Sequence, residues 1–192
     1  MIALTGDIVD ENHDSISSVE DLLKGIKDLA PIYFVTGNHE LTSLAATQYQ
    51  ELLALFQKYG VTDLDNDSVK LKKGGQSITL YGRQYFSQYL TDSLPIASDK
   101  DFDILLYHGS DNFKEIAPYH YDLILSGHAH GGIVRLPIWG GIFGNDGTFF
   151  PEYAGGEYTI GDATLISSRG LGDASIPRFN NPPELVVIKL NP

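Results

Sequence analysis

The stretch Ser126-Gly127-His128-Ala129-His130-Gly131-Gly132 decides the fold that we predict, and it follows a short apolar strand at residues 123–125. Open α/β sheets hold their ligands at the carboxyl ends of the strands. His128 and His130 lie one residue apart on this loop, so both imidazoles can turn a ring nitrogen toward one small volume, and the flanking glycines let the backbone come close. We interpret the loop as half of a metal site.

Polar residues follow three other predicted strands in the same way, after residues 2–4, 32–35 and 104–107. Because parallel strands of one sheet end on the same side of a molecule, we expect these residues to converge with the histidine loop. A carboxylate, an amide oxygen and three imidazoles favour Mn²⁺, Fe or Zn²⁺ over Ca²⁺ or Mg²⁺. The candidate metal ligands are Asp7, Asn38, His108, His128 and His130. We assign two other histidines, His13 and His120, to turns or ordinary polar contacts.

Helices and hairpins are predicted between these strands. Apolar spacing indicates one helix over residues 16–29, with Ser17 and Glu20 spaced as a capping box, and a second helix that Gly60 ends. Later alternation predicts a hairpin turning at Gly74-Gly75, another turning at Gly161-Asp162, and a final strand at residues 185–190.

Two segments are predicted as loops, namely residues 84–100 and the glycine- and aromatic-rich residues 139–156. The sequence has no internal repeat or linker, so we predict a single domain over residues 1–192.

Composition restricts the class of protein. The chain has 192 residues, of which 42% are hydrophobic and 20% charged, as expected for a globular domain. The absence of cysteine excludes disulfides, thiolate metal sites and a cysteine nucleophile. A formal charge of -12, with 13 scattered basic residues, argues against a nucleic-acid partner. No segment is long and apolar enough to be predicted as a transmembrane span.

The ordered motifs Gly6-Asp7, Gly37-Asn38-His39-Glu40, His108 and Gly127-His128-Ala129-His130 resemble those of the calcineurin-like metallophosphoesterases. Residues 125–132 and 178–185 look like a bacterial branch whose members often sit at the membrane or cell wall. The resemblance implies an α/β fold, specifically an α/β/β/α sandwich with mixed sheets. It implies that Asp7 bridges two ions, that Asn38, His108 and His128 complete one site, and that His130 serves the other.

The resemblance also implies roles for the residues beside Asn38. His39 would be the catalytic residue that stabilises the transferring phosphoryl group or protonates the leaving oxygen, and Glu40 would orient His39. The function implied is hydrolysis of a phosphate ester or pyrophosphate by a metal-activated water.

The Asp-x-His of the family's first strand is absent, and we expect the sandwich to lack that strand. The intact family site holds two divalent ions, whereas Asp7 and His130 alone are too few ligands for one of them here, so we expect at most one strongly held ion. Either the protein extends upstream of Met1 or the enzyme is degraded, and we favour the extension. The location would then be cytoplasmic, or membrane-associated through the missing segment.

Two other functional interpretations remain open. The alternative is a catalytically inactive metallophosphoesterase-fold binding protein with an incomplete half-site. A third interpretation, a non-enzymatic structural fragment, predicts a melting temperature that does not depend on metal.

The substrate is expected to be a small phosphorylated molecule, and a lipid or a nucleotide diphosphate would suit the aromatic residues late in the chain. Simple packing is the more ordinary role for such a cluster. These aromatic residues are Trp139, Phe143, Phe149, Phe150 and Tyr153. Arg169 and Arg178 are candidate phosphate-binding residues, and for them too an ordinary structural contact is the more common role.

Overall fold

Two β-sheets lie face to face in the computed structural model, which describes residues 1–10, 16–85, 90, 94–98, 101–144, 147–172 and 177–191. The first sheet is parallel and has the order β1-β2-β3. Its strands are β1 (Ile2–Leu4), β2 (Ile32–Phe34) and β3 (Val61–Asp63). Three helices belong to this half of the chain: α1 (Ile16–Ile26), α2 (Asn38–Thr42) and α3 (Ala46–Tyr59).

The second sheet is mixed. Its central strands β5, β6, β7 and β11 run parallel, and β4 and β10 pair antiparallel at its two edges, in the order β10-β11-β7-β6-β5-β4. The strands are β4 (Ser68–Lys73), β5 (Gln76–Arg83), β6 (Phe102–Gly109), β7 (Leu123–Gly127), β10 (Gly156–Ile160) and β11 (Ala163–Ser167). Helix α4 (Phe113–Ile116) lies between two 3₁₀ turns, Ser110–Asn112 and Ala117–Tyr119. A separate hairpin is formed by β8 (Val134–Leu136) and β9 (Gly140–Phe143).

Strand β6 shows how the layers are built. Successive side chains of a strand point to opposite faces, and every residue of 103–109 is buried, so both faces of β6 are covered. Ile104 and Leu106 pack between the two sheets, while Leu105 and Tyr107 pack on the other face with Phe113 of α4. Helices α1 and α3 cover the first sheet through a third apolar cluster. The predicted α/β/β/α sandwich is therefore confirmed, with one mixed sheet and one parallel sheet rather than two mixed sheets.

The predicted hairpin turns are present. Gly74 and Gly75 have φ angles of 59° and 84°, as a type I′ turn requires at both central positions. Gly60 ends α3 with a φ of 70°, the left-handed conformation that glycine adopts at least cost.

The predicted final strand at residues 185–190 is wrong. Within the described range 177–191, these residues form no strand and their side chains are exposed, with Leu185 at 76% and Val187 at 86%. The alternation of the sequence is that of a strand, but a strand forms only where another strand accepts its backbone hydrogen bonds.

Other differences from the sequence interpretation are smaller. Ser17 lies inside α1 rather than at its cap, because the helix begins at Ile16. Strand β3 was not predicted. Part of the expected surface loop at residues 139–156 is strand β9. Much of the predicted loop at residues 84–100 lies outside the described residues, and so does His13.

Among the residues that the structure describes, no helix is long and apolar enough to span a membrane.

Glu20 joins α1 to α3, and we predict a pH-dependent contribution to stability. Its carboxylate accepts hydrogen bonds of 2.8 Å from Lys58 Nζ and from the Tyr59 hydroxyl, which with Lys24 lower the pKa of Glu20 to about 2. A carboxyl whose pKa is lower in the folded state stabilises it above the unfolded pKa, and this stabilisation disappears as the pH falls toward the folded pKa. Glu20→Gln should therefore lower Tm at neutral pH by about 1–3 °C.

The difference from the native protein should disappear as the pH falls from about 4.5 to about 2. Thermal unfolding followed by circular dichroism across this range measures it. Glu51→Gln, on the exposed side of α3, is the control. A constant Tm difference at every pH would show that charge is not the cause.

Candidate metal centre

The loops after β1 and β2 touch at two glycines. Gly6 has a φ of 87°, and Asp7 follows with a φ of 53°, in the left-handed region that non-glycine residues seldom adopt. A Cβ on Gly37 would lie only 2.6 Å from the backbone nitrogen of Asp7. The His39 backbone N–H donates to Asp7 Oδ1 over 2.9 Å. Glycine at position 37 thus allows the second loop to hold the Asp7 carboxylate.

The buried carboxylate of Glu40 links the same two loops. Its side chain is only 2% exposed, and its carboxylate accepts hydrogen bonds from the backbone N–H groups of Asp7 (2.9 Å), Ile8 (2.8 Å) and Gly37 (2.8 Å), with Val9 at 3.3 Å. Burial and the charge of Asp7 raise the pKa of Glu40, and the N–H donors oppose that rise. Glu40 therefore organises the backbone around Asp7, which corrects the expectation that it orients His39.

His108 stands at the centre of the site, at the end of β6, and is buried. Its Nδ1 lies 2.6 Å from the carbonyl oxygen of Thr5, which can only accept, so Nδ1 carries the hydrogen. Its Nε2 lies 3.0 Å from Asp7 Oδ2, 3.1 Å from Asn38 Oδ1 and 3.1 Å from His128 Nδ1. We call Asp7, Asn38, His108 and His128 the ligand cluster.

The ligand cluster suits a cation. With Nδ1 protonated, a neutral His108 presents an unprotonated Nε2 to two oxygen acceptors, an arrangement that needs a proton or a metal ion between them. Burial alone lowers the pKa of His108, but the Asp7 carboxylate raises it overall. Burial likewise raises the pKa of Asp7, while His108 and the His39 N–H bring it below its ordinary value. The ligand atoms of Asp7, His108 and His128 lie within 4.8 Å of one another.

His128 reaches the cluster through a tight turn after β7. His128 and His130 have φ angles of 66° and 50°, and the two glycines after them are also left-handed. The Ala129 N–H donates to Gly127 O over 2.8 Å, closing the turn. The irregular backbone, rather than a regular strand, therefore sets the direction of the first imidazole.

His130 lies outside the group of Asp7, His108 and His128 that the described residues form. Its Nδ1 accepts from Arg178 Nη2 at 3.3 Å, because a guanidinium can only donate. Burial, with the charge of Arg178, lowers the pKa of His130 to about 4. His130 is therefore a neutral imidazole with a cationic neighbour.

The segment after residue 177 holds the histidine loop in place. Asn181 Nδ2 donates to the carbonyl oxygens of His130 at 2.6 Å and Gly132 at 3.3 Å. Arg178 also donates to the carbonyl of Arg169 at 2.8 Å, and Arg169 Nε donates to Glu184 Oε2 at 2.6 Å. Both arginines thus have protein partners.

His39 lies at the edge of the cluster. Its Nε2 is 3.8 Å from Asp7 Oδ2, and its side chain is 23% exposed. A group in this position reaches both the cluster and solvent, as a proton donor to a bound substrate must.

Tyr85 is a residue of the site that the sequence interpretation missed. Its ring centroid lies 5.3 Å from those of His108 and His128, so the tyrosine ring packs beside both imidazoles. Burial, together with the charges of Asp111 and Asp7, raises the pKa of Tyr85. Tyr85 follows β5 closely, so the rule that identified the other strand-end residues could have found it.

The remaining candidates have ordinary surroundings. Tyr153 is buried against Phe113 in the outer core, so its role is packing. His120 ends a 3₁₀ turn in the left-handed conformation and is exposed. Trp139, Phe149 and Phe150 are exposed.

A family model described as calcineurin-like phosphoesterase matches residues 1–132, which contain every member of the ligand cluster. The chain belongs to the calcineurin-like phosphoesterase family. The metallophosphoesterase YkuE of Bacillus subtilis is 29% identical over 198 residues, covering 99% of this chain and 67% of YkuE. The phosphodiesterase YaeI of Escherichia coli is 24% identical over 192 residues, covering 99% of this chain and 70% of YaeI.

Solved structures support the fold. The sulfate thiohydrolase SoxB of Thermus thermophilus superposes with a TM-score of 0.53 at 16% identity, covering 87% of this calcineurin-like phosphoesterase and 33% of SoxB. At that identity the similarity concerns the fold alone.

Proposed function

We propose that this calcineurin-like phosphoesterase is a metal-dependent phosphohydrolase that cleaves a phosphate ester or pyrophosphate. The observation that carries the proposal is that His108, with its Nδ1 against the Thr5 carbonyl, turns its Nε2 toward the oxygens of Asp7 and Asn38. Asp7, Asn38, His108 and His128 would hold one divalent ion, and Asp7 with His130 would contribute to a second. Mn²⁺, Fe or Zn²⁺ suits this mixture of nitrogen and oxygen ligands.

The residues around the proposed metal site would have different roles in the reaction. A bound ion would supply Lewis-acid activation of a water and neutralise charge on the phosphoryl group. The Thr5 carbonyl and the His39 N–H keep His108 and Asp7 in fixed orientations. The imidazole of His39 would donate a proton to the leaving oxygen, for which its partial exposure leaves room.

One observation favours the alternative of an inactive binding protein. Arg178 already donates to His130, the only residue that we assign to the second ion alone. In that case the ligand cluster would bind a single ion without turnover.

We predict that Mn²⁺ raises Tm and that Asp7→Asn removes most of this increase. The substitution takes away the one anionic ligand of the cluster. An ion present at about 100 times its Kd stabilises the folded state by about 2.7 kcal/mol, which corresponds to about 5–10 °C for a chain of this size. Differential scanning fluorimetry with and without metal measures the shift.

Asp21→Asn on the exposed face of α1 is the control and should keep the full shift. Equal metal shifts in both variants would mean that the ion binds elsewhere. Turnover of an aryl phosphate monoester and diester with Mn²⁺ is assayed in parallel. Absence of turnover of either substrate, with metal bound at the cluster, would favour the binding protein instead.

A further inference from the structure

An apolar hairpin projects next to the histidine loop. It consists of residues 134–144 and 147–150, and within it Ile138 is 104% exposed, Trp139 69% and Phe149 72%. Exposed apolar groups of this size, gathered in one place, mark interaction surfaces in proteins that are otherwise polar outside.

The backbone of this apolar hairpin is hydrogen-bonded although its side chains are exposed. Strand β8 pairs antiparallel with β9, the Gly144 N–H donates to Thr148 O over 2.8 Å, and the Phe150 N–H donates to Ile142 O over 2.7 Å. The Trp139 and Phe150 rings also lie near each other in a tilted arrangement, with centroids 6.4 Å apart. The hairpin is a folded projection, unlike residues 185–190, which expose apolar side chains without strand pairing.

The tip conformation turns bulky residues outward. Ile138 and Phe150 have φ angles of 75° and 54°, and a β-branched residue in this region is strained. Strain of this kind persists where function requires the conformation.

Charge favours a particular partner. Arg135, at the base of the hairpin, donates to the Gly131 carbonyl, and residues 136–150 contain one further charged residue, Asp146, in a chain whose formal net charge is -12. An acidic protein is repelled by anionic lipid headgroups, whereas a neutral apolar tip carrying a tryptophan suits the interface of an uncharged lipid layer. The backbone hydrogen bonds between β8 and β9 reduce the number of N–H and C=O groups that would meet lipid unpaired.

The apolar hairpin is attached directly to the candidate metal centre. A Cβ on Gly141 would lie 2.9 Å from Gly131 O, and Arg135 Nη1 donates to the same carbonyl over 2.5 Å. We propose that the apolar hairpin docks on a neutral lipid surface and thereby holds the histidine loop close to that surface. That the docked protein acts on phosphate groups of lipids rests on the function proposed above.

Trp139 is the only tryptophan in the chain, so its fluorescence reports on the hairpin alone. Adding phosphatidylcholine vesicles should shift its emission to the blue, and brominated acyl chains should quench it. Both measurements use the native protein without metal or substrate, so docking and phosphohydrolase activity can fail separately.

Ile138→Ser with Phe150→Ser keeps the tryptophan and should reduce the vesicle-bound fraction in co-sedimentation more than about tenfold, because two large apolar side chains are lost. The control, Leu185→Ser with Val187→Ser, removes equally exposed side chains elsewhere and should leave binding unchanged. A cooperative thermal unfolding transition, followed by circular dichroism without metal, should persist in both double variants and shows that they are folded.

Three results would overturn the proposal. The first is an unchanged tryptophan spectrum with vesicles. The second is binding that needs anionic lipid or falls equally in the control variant. The third is a blue shift without vesicles that grows with protein concentration, since this would make a second copy of the chain the partner.

Discussion

Replacing His39 with alanine should lower kcat by about 10²–10⁴-fold, the usual contribution of a positioned proton-transfer group, and leave bound metal unchanged. The imidazole lies 3.8 Å from Asp7 Oδ2 at the solvent edge of the cluster. The contact that holds Asp7 comes from the His39 backbone N–H, which alanine retains. Steady-state kinetics and metal analysis of the same sample test both parts.

The leaving group sharpens this test. If His39 protonates the leaving oxygen, the variant should lose more activity on an alkyl phosphate than on a nitrophenyl phosphate, whose leaving group needs no proton. His128→Ala is the contrasting variant and should lose metal and activity together. Loss of metal in His39→Ala, or unchanged turnover, would assign His39 a different role.

Replacing Glu40 with alanine should have the largest effect on stability. The carboxylate is buried and accepts backbone N–H groups from both loops around Asp7, namely those of Asp7, Ile8, Val9 and Gly37. Each buried donor left without a partner costs about 1–3 kcal/mol, so even partial rehydration should lower Tm by about 6 °C or more. Thermal unfolding of the metal-free variant measures this loss.

Glu40→Gln separates charge from shape. Its amide oxygen can still accept, but its NH₂ group cannot, so a Tm between those of the native protein and the alanine variant is expected. Glu51→Ala, an exposed glutamate on α3, is the matched control and should change Tm by little. If the Tm of Glu40→Ala equals that of the native protein, Glu40 does not hold the loops together.

The layered sandwich was predictable from the sequence because apolar alternation and helical spacing are local properties. The apolar run at residues 104–107 was recognisable as a strand buried on both faces without knowledge of what covers them. Parallel strands end on one side of a sheet, which predicts that Asp7 lies near Asn38 after β1 and β2, and that His108 lies near His128 at the ends of β6 and β7. These two pairs come from different sheets, so their meeting in one cluster depends on how the sheets pack.

Residues 185–190 and Glu20 show where local pattern fails. The first has strand alternation but no strand pairing in the described residues, and the second has capping-box spacing but binds Lys58 and Tyr59 of another helix. The long-range partners of Glu20 outweigh its local preference for a cap. Residues 185–190 show that an alternating pattern does not form a strand unless another strand pairs with it.

The sequence by itself determined the order of the elements and the chemical types gathered at the strand ends. The tertiary structure alone decided that Glu40 accepts the backbone N–H groups of Asp7 and Ile8 and that Arg178 contacts His130. The physical reason is distance along the chain: these contacts join residues brought together by sheet packing and by left-handed turns at His128 and His130, which no local periodicity encodes.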